Sequence, residues 1–156
     1  MTILDGAPEG YTTLTPFLVC SPAASAITFY EAVFGATTVQ RMDSPDGTVP
    51  HAELDFGHGR LQLGDPNEAY ELVVPTGSAS ISQSTCIYVS DVDAVFAAAV
   101  AHGAVVREKP STFVTGDRFA SVIDPFGHRW AIMTRVEDVS PEEADRRLAK
   151  WAAEQG

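Results

Sequence analysis

Two polar residues on one predicted strand offer the clearest chemistry in the sequence. In the segment HAELDF, residues 51–56, His51 and Glu53 are two residues apart, so on a β-strand both side chains point to the same face. Ala52 and Leu54 then point to the opposite face, where apolar residues pack against helices. His51 and Glu53 are candidates to hydrogen-bond a ligand or to transfer protons, with Glu53 as the general base. The alternative is a solvated polar pair without a chemical role.

The elements that position this pair occur twice along the chain. Residues 11–65 have the pattern of a strand, a helix and three strands, and the same order returns in residues 83–136 after a connecting loop at 66–82. Equivalent positions in the two segments, such as Thr15 and Ser84, follow at nearly constant spacing. The repeated order predicts two tandem βαβββ modules, with the first strand running through YTTLTPFLVC.

Capping residues and apolar spacing set the helices. The first helix ends at Gly35, and the second runs from the N-cap Asp91 to Gly103, with Val92, Val95, Phe96, Ala99 and Val100 on its apolar face. Residues 137–156 form a third helix in which Ser140 and Glu143 make a capping box. Its narrow apolar stripe is expected to dock on the body of the protein or on a partner and consists of Ala144, Leu148 and Trp151.

Composition restricts the possible partners. The 156 residues are 45% hydrophobic and 20% charged, which is typical of a globular protein, and the net charge of -11 disfavours nucleic acid and anionic membranes as partners. The sequence has no basic start, no secretory signal and no apolar run long enough to span a membrane. These features predict a cytoplasmic protein. Cys20 and Cys86 lie in apolar runs and are expected to be reduced thiols.

The motifs together resemble a known family. FYEAVFG, VSDVDAVFAAAVAHGA and DPFGHRW, in this order, are similar to segments of the vicinal oxygen chelate superfamily, which includes glyoxalase I, extradiol dioxygenases and bleomycin-resistance proteins. HAEL, GDRF and the tail VEDVSPEE resemble its PhnB-like branch. The resemblance implies an α+β fold in which two tandem βαβββ modules form curved mixed sheets around a cavity, with a C-terminal helix added. It also implies a homodimer.

Side-chain alternation then predicts which residues face that cavity. The residues expected to bind a ligand are Thr15, Phe17, His51, Glu53, Gln62, Ser84, Cys86, Tyr88, Phe119, Ala131 and Met133. Metal-dependent relatives carry His or Glu at four equivalent inward positions, which match Thr15, Gln62, Ser84 and Ala131 here. Two hydroxyls, an amide and a methyl group do not hold a divalent ion, so we expect no metal and no other cofactor.

Three functions fit these features. One is a metal-independent protein that binds a small organic molecule, cationic or aromatic, and so sequesters a drug or a metabolite, as in antibiotic resistance. Another is a metal-free enzyme of lyase, isomerase or dioxygenase type that uses Glu53 or His51 as acid or base. The last is a metal-dependent enzyme with atypical ligands. The absence of His and Glu at the four metal positions disfavours this last possibility. The sequence does not decide whether the protein is an enzyme.

Overall fold

The computed structural model describes residues 6–77 and 80–156, which form two compact units. The first unit extends to Ile81 and also includes Pro125–His128, and the second consists of Ser82–Asp124 and Arg129–Gly156. Each unit contains a four-stranded mixed sheet and a helix, and the second unit also carries the C-terminal helix. The predicted α+β class with tandem modules is therefore confirmed.

The first sheet has the strand order β1-β4-β3-β2. Its elements are β1 (Phe17–Val19), α1 (Ala23–Phe34), β2 (Thr37–Met42), β3 (His51–Asp55) and β4 (Arg60–Gly64). β1 is parallel to β4, and the other two pairings are antiparallel. A 3₁₀ turn, Glu68–Tyr70, follows the sheet in the connecting loop.

The second sheet repeats this topology with the order β5-β8-β7-β6. Its elements are β5 (Ser84–Tyr88), α2 (Val92–Ala101), β6 (Val105–Thr112), β7 (Asp117–Ile123) and β8 (Arg129–Arg135), followed by α3 (Pro141–Gln155). β5 and β8 are parallel, as β1 and β4 are in the first sheet. In the described part of the chain, no helix is both long and apolar enough to cross a bilayer.

The helix-covered face of each sheet is built from alternate strand residues. Leu54 and Leu61 lie opposite each other on β3 and β4 and are buried, as is Tyr30 of α1. In the second unit the largest buried side chain is Trp130, whose indole Nε1 donates a hydrogen bond to Asp124 at 2.9 Å. Burial of these apolar side chains is the main stabilising contribution to each unit.

The helix ends follow the predicted caps. Gly35 ends α1 in the left-handed region with a φ of 67°, which costs a glycine little. The Asp91 carboxylate accepts a hydrogen bond from the Ala94 amide at 3.0 Å at the start of α2. One residue of the predicted α2 face is wrong: Val100 is exposed, because the position next to the buried Ala99 points about 100° away from it.

The first strand is much shorter than the sequence predicted. Only Phe17–Val19 pair with β4, although the apolar and β-branched pattern begins at Tyr11. Pro16 precedes the strand, and its carbonyl accepts a hydrogen bond from Gln62 at 2.9 Å. Proline has no N–H to donate to a ladder, which explains why regular pairing starts after it.

The C-terminal helix α3 is capped by its own residues and contacts the second unit through Trp151. The Ser140 hydroxyl accepts a hydrogen bond from the Glu143 amide at 3.2 Å, as one half of the predicted capping box requires. The Glu143 carboxylate does not complete the box as expected but binds Arg146 at 2.6 Å and Arg147 at 2.7 Å. Trp151 meets the ring of Phe113 edge-on at 5.3 Å.

Candidate functional site

The open face of the first sheet collects polar side chains. Along β3 and β4 buried and half-buried residues alternate, so the half-buried ones share the face opposite α1. These residues are His51, Glu53, Asp55, Arg60 and Gln62. The sheet register confirms the arrangement, because Glu53 lies opposite Gln62 and Asp55 opposite Arg60.

Glu53 is at the centre of this polar face. Its side chain is 16% exposed, and its Oε1 is 3.3 Å from Nε2 of His51. Its Oε2 is 3.9 Å from a guanidinium nitrogen of Arg60. The nearby Tyr11 hydroxyl, followed by the contacts with His51 and Arg60, holds the pKa of Glu53 below its usual range despite opposing desolvation. The carboxylate is therefore ionised at neutral pH.

Arg60 and Tyr11 complete the cluster. The Arg60 guanidinium lies over the Tyr11 ring, 4.8 Å from its centroid. The Arg60 side chain is 18% exposed, and its Nε is 3.8 Å from a carboxylate oxygen of Asp55. This Nε is buried and makes no hydrogen bond within the described residues. On the other side, the Gln62 amide donates to the Tyr11 hydroxyl at 3.5 Å.

Sequence reasoning missed these two residues for different reasons. Arg60 is two positions before Gln62 on the same strand, so the alternation that selected Gln62 also selects Arg60. Tyr11 lies in an irregular segment before β1, where no periodicity reports the direction of a side chain. Only the tertiary structure brings Tyr11 to the sheet.

Phe17 and Thr15 have different surroundings. Phe17 lies opposite Gln62 in the register, and its ring centroid is 6.1 Å from that of His51. Phe17 therefore adds an aromatic wall beside the polar face. Thr15 lies before β1, and its hydroxyl donates to the Thr12 carbonyl at 3.5 Å. The prediction that Thr15 is a strand residue is wrong.

The remaining predicted residues belong to the second unit. Cys86 lies opposite Ala131 in the register, and Met133 lies opposite both Tyr88 and Phe119, so these side chains share a face. Ser84, at the start of β5, lies opposite Arg129. Cys86 Sγ is 3.1 Å from Met133 Sδ. Burial, and then the charge of Asp117, raise the pKa of the Cys86 thiol.

The second sheet also carries a charged cluster that sequence reasoning missed. Arg129 donates to a carboxylate oxygen of Glu108 at 2.6 Å and to the Ser121 hydroxyl at 3.2 Å. The buried Ser121 hydroxyl donates to the same carboxylate oxygen. Glu108 lies opposite Ser121 in the register, so the pairing of β6 with β7 brings these groups together.

The GDRF motif is divided between two ion pairs. Asp117 binds Arg135, the residue opposite it on β8, at 3.0 Å, whereas Arg118 binds Asp93 of α2 at 2.6 Å. Because these two residues are neighbours on a strand, they point to opposite faces. Both have partners on adjacent elements, which fits a structural role.

The donor groups at the four family metal positions do not fit a divalent ion. The Thr15 hydroxyl bonds to its own segment, and the Gln62 amide bonds to Tyr11. Ser84 offers a single hydroxyl and Ala131 no donor at all. Across residues 6–77 and 80–156, no group of three or more His, Cys, Asp or Glu side chains is arranged to hold a metal ion.

Known proteins resemble this chain in sequence and in fold. The family model of the Glyoxalase/Bleomycin resistance protein/Dioxygenase superfamily matches residues 12–132. An uncharacterized protein of Mycobacterium bovis is 35% identical over 139 residues, which cover 87% of this chain and 91% of that protein. An uncharacterized protein of Mycobacterium tuberculosis H37Rv is also 35% identical over 139 residues, which cover 87% of this chain and 82% of that protein.

Two solved structures have a similar fold. The crystal structure of TioX from Micromonospora sp. ML1 has a TM-score of 0.62 and 25% identity, covering 83% of this chain and all (100%) of TioX. A PhnB protein from Bacillus cereus, described as a putative 3-demethylubiquinone-9 3-methyltransferase, has a TM-score of 0.62 at 19% identity. The superposition covers 79% of this chain and 99% of the PhnB protein. At this identity the likeness concerns the fold alone.

Proposed function

Because the chain belongs to the Glyoxalase/Bleomycin resistance protein/Dioxygenase superfamily, we propose that it binds a small organic molecule on the open face of its first sheet without a metal ion. The ligand presents a cationic or hydrogen-bond-donating group to Glu53 and an aromatic part to the rings beside it. Binding of this kind sequesters a drug or a metabolite.

The observation that carries the proposal is the environment of Glu53. An ionised carboxylate in a largely covered position is costly unless donors surround it. Here the surrounding groups are the His51 ring at 3.3 Å and the Arg60 guanidinium at 3.9 Å, with the Tyr11 hydroxyl nearby. The Arg60 contact is longer than a hydrogen bond, so a ligand donor can still add to the carboxylate. Phe17 and Tyr11 supply apolar surface, and such a mixture is typical of small-molecule sites.

The same environment favours binding over acid–base catalysis. A general base works best when its pKa is near the operating pH. The contacts of Glu53 move its pKa in the opposite direction, below the usual range of a carboxyl group. A carboxylate of low basicity is well suited to holding a cation or a hydrogen-bond donor. We therefore place the metal-free enzyme second and the metal-dependent enzyme third.

The chemistry of the donor set supports metal independence. The four positions of the superfamily metal ligands carry hydroxyl, amide and methyl groups in this chain. His51 and Glu53 could supply two metal ligands, but the Arg60 guanidinium lies 3.9 Å from the Glu53 carboxylate. At the same distance the repulsion from a guanidinium is twice as large for a divalent ion as for a monovalent organic cation. A divalent ion at Glu53 would have to compete with it.

A ligand screen with a matched pair of variants tests the proposal. Thermal shifts are recorded for a library of small cations and aromatic compounds, with EDTA and with added divalent metals. Compounds that stabilise the protein are then titrated calorimetrically into wild type, Glu53→Gln and the control Glu68→Gln, which removes an exposed carboxylate of the connecting loop. We expect metal-independent binding that weakens at least tenfold in Glu53→Gln only. Equal affinity of all three proteins would refute the role of Glu53.

A further inference from the structure

Tyr11 lies on the candidate site although it belongs to the segment before the first sheet. Its ring covers the Arg60 guanidinium at 4.8 Å, and its hydroxyl accepts a hydrogen bond from Gln62 at 3.5 Å. The same hydroxyl lies near the carboxylate of Glu53 and lowers its pKa. A single phenol side chain thus meets a cation, an amide and a carboxylate at once.

Apart from the Tyr11 side chain, the segment that carries Tyr11 makes mostly local hydrogen bonds. In the described residues before β1, the Tyr11 amide donates to the Pro8 carbonyl at 3.1 Å, and the Thr12 hydroxyl donates to the Leu14 carbonyl at 2.7 Å. Leu14 is 84% exposed. Segments with local hydrogen bonds and little buried apolar surface open at low free-energy cost.

We infer that Tyr11 is an intramolecular stand-in for the ligand, which is a planar hydroxyaromatic molecule that displaces the Tyr11 ring from Arg60, Glu53 and Gln62. This inference rests on the proposed function and specifies the ligand class. A phenolic hydroxyl on the ligand takes over the acceptor role toward Gln62 and donates a hydrogen bond to Glu53. The aromatic face of the ligand takes over the contact with the Arg60 guanidinium.

Arg60 adds an attraction that Tyr11 does not use. Its buried Nε has no hydrogen-bond acceptor among the described residues, and a buried donor without an acceptor is unfavourable. The nearby chain at Gly10 is close enough that a β-carbon there would collide with this guanidinium. Gly10 also has a φ of 83°, in the left-handed region that favours glycine. When the segment moves away, Nε is available to an oxygen substituent on the ligand ring.

Competition between the Tyr11 ring and the ligand for the same site has a measurable consequence. A site that is open for only a fraction of the time binds its ligand with an affinity reduced by that fraction. Removing the Tyr11 ring keeps the site open, so a molecule shaped like the lost side chain should bind the variant better than the wild type. The molecule that matches this side chain is p-cresol, and toluene is the same molecule without the hydroxyl.

The experiment titrates p-cresol and toluene into wild type, Tyr11→Ala, Tyr11→Phe and the control Tyr70→Ala, with binding followed by calorimetry and by ligand-observed NMR. Tyr70 is 76% exposed in the 3₁₀ turn, so its removal controls for the loss of a tyrosine elsewhere. Tyr11 lies outside all helices and strands, and we expect the circular dichroism spectra of the four proteins to agree.

We expect saturable binding of p-cresol to Tyr11→Ala that is at least tenfold tighter than to wild type or Tyr70→Ala. Toluene should bind Tyr11→Ala at least fivefold more weakly than p-cresol, and Tyr11→Phe should give an intermediate affinity for p-cresol. Adding Glu53→Gln to Tyr11→Ala should remove the advantage of p-cresol over toluene. Equal p-cresol affinity in wild type and Tyr11→Ala, or equal affinities of the two compounds for Tyr11→Ala, would overturn the inference.

The outcome is separable from that of the proposed function. If screened compounds bind wild type through Glu53 while p-cresol does not distinguish Tyr11→Ala from wild type, the stand-in role of Tyr11 is wrong and the binding function stands. If p-cresol prefers Tyr11→Ala but affinity is unaffected by Glu53→Gln in both proteins, the binding role of Glu53 is wrong.

Discussion

The substitution Leu54→Ala tests the assignment of the two faces of the first sheet. Leu54 is 0% exposed on the face covered by α1, whereas its neighbour Glu53 points to the open face. If the faces are assigned correctly, Leu54→Ala lowers the free energy of unfolding without changing the groups of the candidate site. Glu53→Gln has the opposite profile, because it alters the site and leaves the apolar core intact.

The size of the effect follows from the burial of Leu54. The substitution removes three carbons from a fully covered side chain, and their transfer out of water is worth roughly 2–2.5 kcal/mol. Leu61 lies opposite and is also buried, so the sheet cannot easily collapse into the space, and the cavity adds to the cost. We expect a loss of about 3 kcal/mol, within the range of about 2–5 kcal/mol for buried leucines. For a chain of this length the melting temperature falls by about 6–12 °C.

Urea denaturation followed by circular dichroism measures this loss, with the m-value fitted for each protein. The matched control is Leu14→Ala, which makes the same chemical change at a side chain that is 84% exposed. We expect Leu14→Ala to change the free energy of unfolding by less than about 0.5 kcal/mol. A loss below about 1 kcal/mol for Leu54→Ala, or equal losses in the two variants, would contradict the face assignment.

Three other predictions concern the C-terminal helix, the thiols and assembly. The pKa of Glu143 is lowered to about 2 from an ordinary 4.5 by the two arginines that bind it, so its stabilisation of α3 is present above about pH 4.5 and is lost as the pH falls toward 2. In wild type, acrylamide quenching of Trp151 should increase as the pH falls from about 4.5 toward 2. In Glu143→Gln this transition should be missing, and in both proteins the buried Trp130 should stay protected. Cys86 should react with a thiol reagent in the native protein, more slowly than a free thiol at pH 8 because its pKa is raised, whereas Cys20 should react only on unfolding; early labelling of Cys20 would contradict this. We also expect a homodimer, as closed two-fold dimers are the commonest oligomers, and a monomer mass by light scattering at micromolar concentration would contradict it.

Much of the fold could be predicted from local patterns in the sequence. Gly35 and Asp91 mark helix ends by conformations and hydrogen bonds that these residues form locally, so their roles follow from residue type. Alternation in residues 51–55 predicts the two faces of β3 because one face is buried against a helix. The length of β1 could not be predicted in this way, since pairing depends on the partner strand and on the proline before it.

The candidate site was predictable only in part. His51, Glu53 and Gln62 follow from strand alternation, and so does Arg60, two positions before Gln62 on the same strand. Tyr11 reaches the site through a segment without regular structure, and its contacts with residues about fifty positions away leave no mark in a local pattern. Whether the second-sheet residues, such as Cys86 and Met133, bind the same ligand stays a prediction.

Metal-independent binding through Glu53 is tested by the affinity of one screened ligand for metal-free protein, with and without the Glu53 carboxylate. Wild type and Glu53→Gln are dialysed against EDTA, checked for metal by elemental analysis and titrated with the compound that gave the largest thermal shift. We expect metal-free wild type to bind the compound as tightly as protein that was not treated with EDTA, and Glu53→Gln to bind it at least tenfold more weakly. Binding that appears only after a divalent metal is added back, or that is equally tight in Glu53→Gln, would contradict it.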